Sequence, residues 1–257
     1  MLVKPIKSKC LHFYHYASAK ELDRLKVILL QNQLYFPSPS ELNDPAEGKP
    51  RPRVVSEAKI AQFLCDRVRE EKPNLPQAVY QDAYDHITNE VHREGPEKTL
   101  GRIMKYLNLN LDQCKIYCLC KRWDNMAMWD NYANKHTGYC LEFKNSGLFS
   151  NAYEVYYSDE EFTQDFTNLD GLNGYFFFCK KSEWSYEEEV RILDTSSIPN
   201  PISFDPTLLS QIILGYNIST KDKSQIIQWT KKRSVPLPVA QSHYNEFNHA
   251  LELIHVD

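Results

Sequence analysis

The order of apolar and polar positions divides the chain into a β-rich start, a helical middle and a longer mixed remainder. Leu11–Tyr16 is dense in apolar and aromatic residues and predicts a strand. Ser18-Ala19-Lys20-Glu21 has the spacing of a capping box, in which Ser bonds the N3 amide and Glu reaches back. It opens an expected helix with Leu22, Leu25, Ile28 and Leu29 on one face. Leu34-Tyr35-Phe36 predicts a short strand, broken by Pro37 and Pro39.

Residues 56–108 read as helical throughout, with three apolar stripes: Ile60, Phe63, Leu64 and Val68; Val79, Tyr80, Ala83, Tyr84, Ile87 and Val91; Leu100, Ile103, Met104 and Leu107. Pro73, Pro76 and Gly95-Pro96 separate them. This block lies between two β-rich regions, so it is expected to be a helical insertion packed outside a β core.

Period-two alternation returns at Lys115–Cys120. A helix over Met126–Asn134 is expected to stop before Gly138. Tyr139–Phe143, Tyr153–Tyr157, Glu187–Leu193, Gln211–Leu214 and Val235–Ala240 are further strand candidates. Ser158-Asp159-Glu160-Glu161 is a second capping-box pattern, and Ser219–Lys232 is helical through Ile226, Ile227 and Trp229. No repeat and no long linker interrupts the chain. The expectation is one α+β domain over residues 1–257, with a split or two-layered, mostly antiparallel β core and a helical insertion at about 56–108.

Composition narrows the function classes. A chain of 257 residues can bury a sizeable core without disulfides or metals. Net charge is −4, and the basic runs are short, at Lys180–Lys181 and Lys231–Arg233, where solvated faces are the plain reading. Duplex nucleic acid, which needs a concentrated basic surface, is not an expected partner. Seven cysteines with no C-x-x-C pair suggest reduced thiols and a cytoplasmic location. The N-terminus lacks the apolar region of a signal peptide. Apolar runs such as Val27–Leu30 and Tyr175–Cys179 are too short to cross a membrane, so no membrane partner is expected. The 16 Tyr and 12 Phe suit either an aromatic core or a pocket wall.

A few positions carry candidate chemistry. On a strand, Glu187, Glu189 and Arg191 would share one face. The pattern fits either a surface ion pair or a pair of working carboxylates beside Trp184 and Tyr186. Trp129 and Tyr132, three apart on a short helix, fit core packing or a stacking surface for a flat ring. His15 closes the first strand, where a histidine usually satisfies backbone groups. Asp44-Pro45-Ala46-Glu47 reads as a helix start, with a metal site as the alternative. Cys118, Cys120, His136 and Cys140 lack the spacing of a zinc motif and read as buried cysteines near a strand.

Five patterns together resemble the bacterial family called domain of unknown function 2971. They are His15-Tyr16-Ala17-Ser18, Leu42-Asn43-Asp44-Pro45-Ala46-Glu47, Cys118-Leu119-Cys120 leading to Met128–Ala133 and Gly138–Phe143, Trp184–Arg191, and Ile212–Gly215. Ala17 and Cys120 stand where such chains carry Thr or Ser. The opening pattern is also similar to the ADP-ribosyltransferase superfamily. That resemblance implies an ADP-ribosyltransferase-like fold and NAD as substrate, with His15, Tyr16, Trp129, Tyr132 and Arg191 around it. It also implies Glu189 as the catalytic carboxylate, Glu187 as the residue orienting an unknown macromolecular acceptor, and no metal. Cleaving the nicotinamide–ribose bond develops positive charge that a fixed carboxylate stabilises. The competing expectation is a catalytically silent ligand-binding or protein-interaction module of a defence cassette.

Overall fold

The computed structural model describes residues 4–44, 48, 51–111, 113–167, 174–196 and 199–256, without the side chains of residues 106–111. Among these residues fourteen strands occur in this order: β1 (His12–Ala17), β2 (Gln33–Leu34), β3 (Arg51–Pro52), β4 (Lys115–Cys120), β5 (Tyr139–Lys144), β6 (Tyr153–Glu154), β7 (Tyr156–Tyr157), β8 (Thr163–Gln164), β9 (Cys179–Lys180), β10 (Glu189–Asp194), β11 (Ile202–Ser203), β12 (Leu209–Leu214), β13 (Val239–Asn245) and β14 (Ala250–Val256). The α-helices are α1 (Leu22–Gln31), α2 (Glu57–Glu71), α3 (Gln77–Glu94), α4 (Pro96–Leu111), α5 (Met126–Asn131) and α6 (Thr220–Thr230).

Eight strands form the central sheet in the order β14-β13-β12-β5-β1-β4-β10-β6. Its pairings are antiparallel except β12 with β13, which the crossover helix α6 joins in parallel. β5 is buried on both faces, which is why Tyr139–Phe143 reads as a nearly unbroken apolar run. One face packs Phe13, Leu141 and Phe143 against Leu25 and Leu29 of α1 and Ile226 and Trp229 of α6. The other packs Tyr16, Cys120, Cys140 and Ile213 against Met128 and Trp129 of α5.

The expected mostly antiparallel core is present, as one sheet rather than two layers. It is nevertheless opened in the middle. β1 pairs with β5 from His12 to Ala17, and β4 pairs with β10 from Lys115 to Cys120. Between β1 and β4 the register consists of Tyr14 opposite Cys120 alone. Cys120 also faces Glu189 across β10, so this residue holds the seam on both sides.

The three helices of residues 57–111 occur where their stripes predict. Those stripes pack chiefly on one another: Ile60, Ala61, Val91, Leu100 and Ile103 form a cluster of their own. Lys59 Nζ reaches Asp165 at 2.6 Å, tying α2 to the rest of the chain.

Several local expectations are corrected. The strand expected from Glu187 begins at Glu189, because Ser182–Glu187 forms a 3-10 helix and Glu188 is left-handed at φ 45°, ψ 47°. Asn125 Nδ2 donates to the Tyr186 carbonyl at 2.5 Å and holds that turn in place. Ser18 caps only a short 3-10 turn, and Glu21 bonds Arg24 instead of reaching back. The complete capping box is Ser38 with Glu41, which the sequence reading missed. Ser158 Oγ accepts from the Glu160 amide in a turn, and β8 follows where a helix was expected. α5 ends at Asn131, and Asn134, Lys135 and His136 all have positive φ. Two glycines let this turn pack closely: a Cβ on Gly138 would lie 2.1 Å from the Ala17 carbonyl oxygen, and one on Gly215 would lie 2.0 Å from that of His136. The helix start expected at Asp44-Pro45-Ala46-Glu47 falls largely outside the described residues.

Candidate functional site

The open seam leads into a cavity of about 580 Å³. Tyr14 and Tyr16 line it from one face of β1, His15 and Ala17 from the other, together with Tyr117–Cys120 of β4. Residues of both faces can meet one space here because the two strands part beyond their single pairing. Val27 and Ile28 of α1, Leu34 and Pro37 supply apolar wall, while Arg24, Glu21 and Glu41 stand among its lining. The volume lies within the roughly 300–1,000 Å³ of small-molecule sites.

On one side of the cavity lies a buried network of charges. Lys180 Nζ is 2.5 Å from Glu187 Oε2 and 3.4 Å from Glu189 Oε2. Arg191 donates from Nε to Glu189 Oε1 at 2.8 Å and from Nη2 to Glu189 Oε2 at 2.7 Å. Such a bidentate fork is among the stronger hydrogen-bonding geometries of a carboxylate. Tyr132 donates its phenol to Glu187 Oε1 at 2.5 Å. The backbone N–H of Glu189 donates to the Tyr157 hydroxyl at 2.8 Å. Glu187 is 2 % exposed, Glu189 5 % and Arg191 0 %. Burial pushes the Glu189 carboxyl up to about 7, against the pull of Lys180. Burial also pulls the Arg191 guanidinium down to about 9. The phenol of Tyr132 is raised by burial and then by Glu187, which keeps it a donor.

His15 approaches from the other face of the sheet. The register of Tyr14 with Cys120 and of Cys120 with Glu189 sets Glu189, Cys120 and Cys118 on one face, and His15, Tyr117 and Leu119 on the opposite one. The ring stacks on Tyr117 at 4.8 Å, which in turn stacks on Phe36 at 4.8 Å. His15 Nδ1 is 3.1 Å from the Cys118 carbonyl, an acceptor, so Nδ1 carries the hydrogen. Burial lowers the His15 pKa, which favours the neutral ring with Nε2 as acceptor.

The expected site residues therefore divide. His15, Tyr16, Tyr132, Glu187 and Glu189 line one cavity although they come from distant segments. The Tyr16 hydroxyl is already committed, donating to the Arg122 carbonyl at 2.7 Å. Two expectations need correcting. Trp129 is fully buried in the core, its Nε1 donating to the Trp123 carbonyl at 2.7 Å, and it does not line the cavity. Arg191 does not line it either: it stands behind Glu189 as counter-ion and donates to the Phe177 carbonyl at 2.5 Å. Glu187 and Glu189 also differ in setting from the shared strand face expected, since Glu187 arrives from a 3-10 helix. Among the described residues no group of three or more His, Cys, Asp or Glu could hold a metal ion. No helix among them is long and apolar enough to cross a membrane.

Lys180 is the residue sequence reasoning missed. In the basic pair Lys180–Lys181 it reads as solvated, yet it is 7 % exposed. The available signal was its position at the end of the aromatic run Tyr175–Cys179, which continues into the buried β9.

A family model matches residues 128–192, that of a family described as protein of unknown function (DUF2971). The match supports the resemblance to that family over this stretch. It contains Tyr132, Lys180, Glu187, Glu189 and Arg191 of the charge network. No curated protein and no solved structure matches the chain significantly.

Proposed function

We propose that the seam cavity binds NAD and that the chain is an ADP-ribosyltransferase-like protein that cleaves the nicotinamide–ribose bond, passing ADP-ribose to an acceptor or to water. The observation that carries this reading is the convergence of His15, Tyr132, Glu187 and Glu189 on one cavity. In this reading Glu189, fixed by the Arg191 fork, faces the positive charge that develops on the ribose. Glu187, held by Tyr132, orients the acceptor. Neutral His15 accepts a ribose hydroxyl through Nε2. Arg24, among the lining residues on the α1 side, is a cation that a pyrophosphate would meet. The apolar wall of α1 and Leu34 gives the cavity a low-dielectric side, which strengthens each of these contacts.

A second reading is favoured by one observation. Both oxygens of Glu189 are occupied by Arg191, so its charge is largely spent inside the protein. The cavity would then hold its ligand without chemistry. Titration calorimetry with NAD and assay of free nicotinamide on the same preparation separate the two. Binding with nicotinamide release supports the transferase-like reading, binding without release supports the silent one, and no binding defeats the transferase-like reading.

A further inference from the structure

Two like charges share a confined space beside this cavity, and Lys180 is the group that makes this tolerable. Its ammonium is the cation that both carboxylates touch, through Oε2 of each. Glu189 has a second cation in Arg191. Glu187 has Lys180 and, among the described residues, a neutral phenol from Tyr132. The position of Lys180 is fixed from two directions. Its Nζ lies 4.8 Å from the centre of the Trp184 ring. Its backbone belongs to β9, where it pairs with Tyr157 of β7, and the hydroxyl of that same Tyr157 receives the Glu189 amide. One two-residue ladder thus seats both the bridging ammonium and one of the carboxylates it bridges.

We propose that Lys180 is the positioning residue of this site, bridging Glu187 and Glu189 so that the two hold a fixed spacing and are ionised together on the alkaline side of neutrality. The proposal rests on the reading of this cavity as the functional site, but not on NAD as its ligand. The groups facing the pair are Cys118 from β4, Tyr132 following α5, Tyr157 from β7 and Arg191 from β10, with the charge of Asp44 acting on Arg191. Arg191 is the other cation among these, and its two-pronged contact is with Glu189. Removing the ammonium leaves two buried carboxylates to one guanidinium. Such a pair takes up a proton instead of keeping both charges.

The test is Lys180→Met, read by infrared spectroscopy and by melting temperature. At about pH 8 the variant is expected to show a protonated carboxylic C=O band that the wild type and Lys180→Arg lack, because the uncompensated charge is removed by proton uptake. The band should be lost when Glu187→Gln is added. The melting temperature of Lys180→Met should fall by on the order of 10 °C, since breaking a buried pair strands its partner. The fall should be smaller near about pH 6, where proton uptake costs less. Lys180→Met/Glu187→Gln should recover much of the loss and should fold even if the single variant does not. A protonated band absent from Lys180→Met, or a melting loss that neither pH nor Glu187→Gln changes, overturns the proposal and leaves Lys180 a packing residue. Failure of both variants to fold overturns it equally. These readouts use no nucleotide, so wild-type protein that ignores NAD would defeat the proposed function without touching this result.

Discussion

Tyr132 and Glu187, separated by 55 positions in sequence, are joined by a 2.5 Å hydrogen bond from the phenol to Oε1. The bond ties the turn after α5 to the end of the 3-10 helix that precedes β10. Tyr132→Phe keeps the ring and removes the donor. It is expected to cost about 1.5–3 kcal/mol, the range for hydrogen bonds to charged groups. Urea denaturation measures this. If the bond positions Glu187 for acceptor transfer, the same variant should lower transfer more than hydrolysis of NAD.

Glu189→Gln separates catalysis from stability. Were the pair with Arg191 exposed, the stability loss would be about 1 kcal/mol or less. Both groups are instead buried, so about 3–5 kcal/mol is expected from stranding the guanidinium. A carboxylate acting on the transition state adds a loss of about a hundred- to a thousand-fold in kcat. Chemical denaturation and nicotinamide release on the same variant check both. An unchanged release rate in folded Glu189→Gln removes the catalytic role.

His136 predicts a loss of stability on the acid side. It is 1 % exposed, lies between Trp129 and Tyr216 at ring distances of 5.5 and 4.2 Å, and neither ring nitrogen has a hydrogen-bond partner among the described residues. Burial lowers its pKa, against the pull of Asp130. The unfolded chain therefore binds a proton more readily than the folded one. Stability from the neutral ring is full above about pH 6.5 and falls as pH drops below that value. His136→Phe, which retains the stack, should flatten this slope by on the order of 1 kcal/mol between about pH 7.5 and 5.5. Melting curves at the two pH values decide it, and an unchanged slope counts against the assignment.

Gly138→Ala should fold poorly or not at all. The added methyl would lie 2.1 Å from the Ala17 carbonyl oxygen and 3.0 Å from that of Ala133, both backbone atoms. Relief requires moving the end of β1, which lines the cavity. A soluble variant with an unaltered melting temperature would contradict this placement.

The sequence made the long elements legible where one period dominates. The three helical stripes of residues 56–108, the alternation of Lys115–Cys120 and the helix after Ser219 all appear near their expected positions, because each depends on local periodicity. β14 was not read, although Leu251 and Leu253 alternate with Glu252, since a strand at a sheet edge shows a weak apolar pattern. The 3-10 helix at Ser182–Glu187 was missed for a different reason. Its sequence suits a strand, and a tertiary hydrogen bond from Asn125 helps hold the turn. In the site, His15, Tyr132, Glu187 and Glu189 were legible as chemistry-bearing side chains. Their division between the two sheet faces was not, because it depends on a register across the seam that no local pattern encodes. Trp129 and Tyr132 look equivalent in sequence, and only packing sends the indole into the core.

The separate apolar cluster beneath α2, α3 and α4 bears on how this chain can diverge. A segment that satisfies its own core can gain turns, shed them or drift in sequence as long as its stripes still match one another. The buried set Lys180, Glu187, Glu189 and Arg191 has no such freedom, because each of its charges is balanced against another. Distant kin of this chain should therefore differ most in the size of the helical block and least in the arrangement of those paired charges.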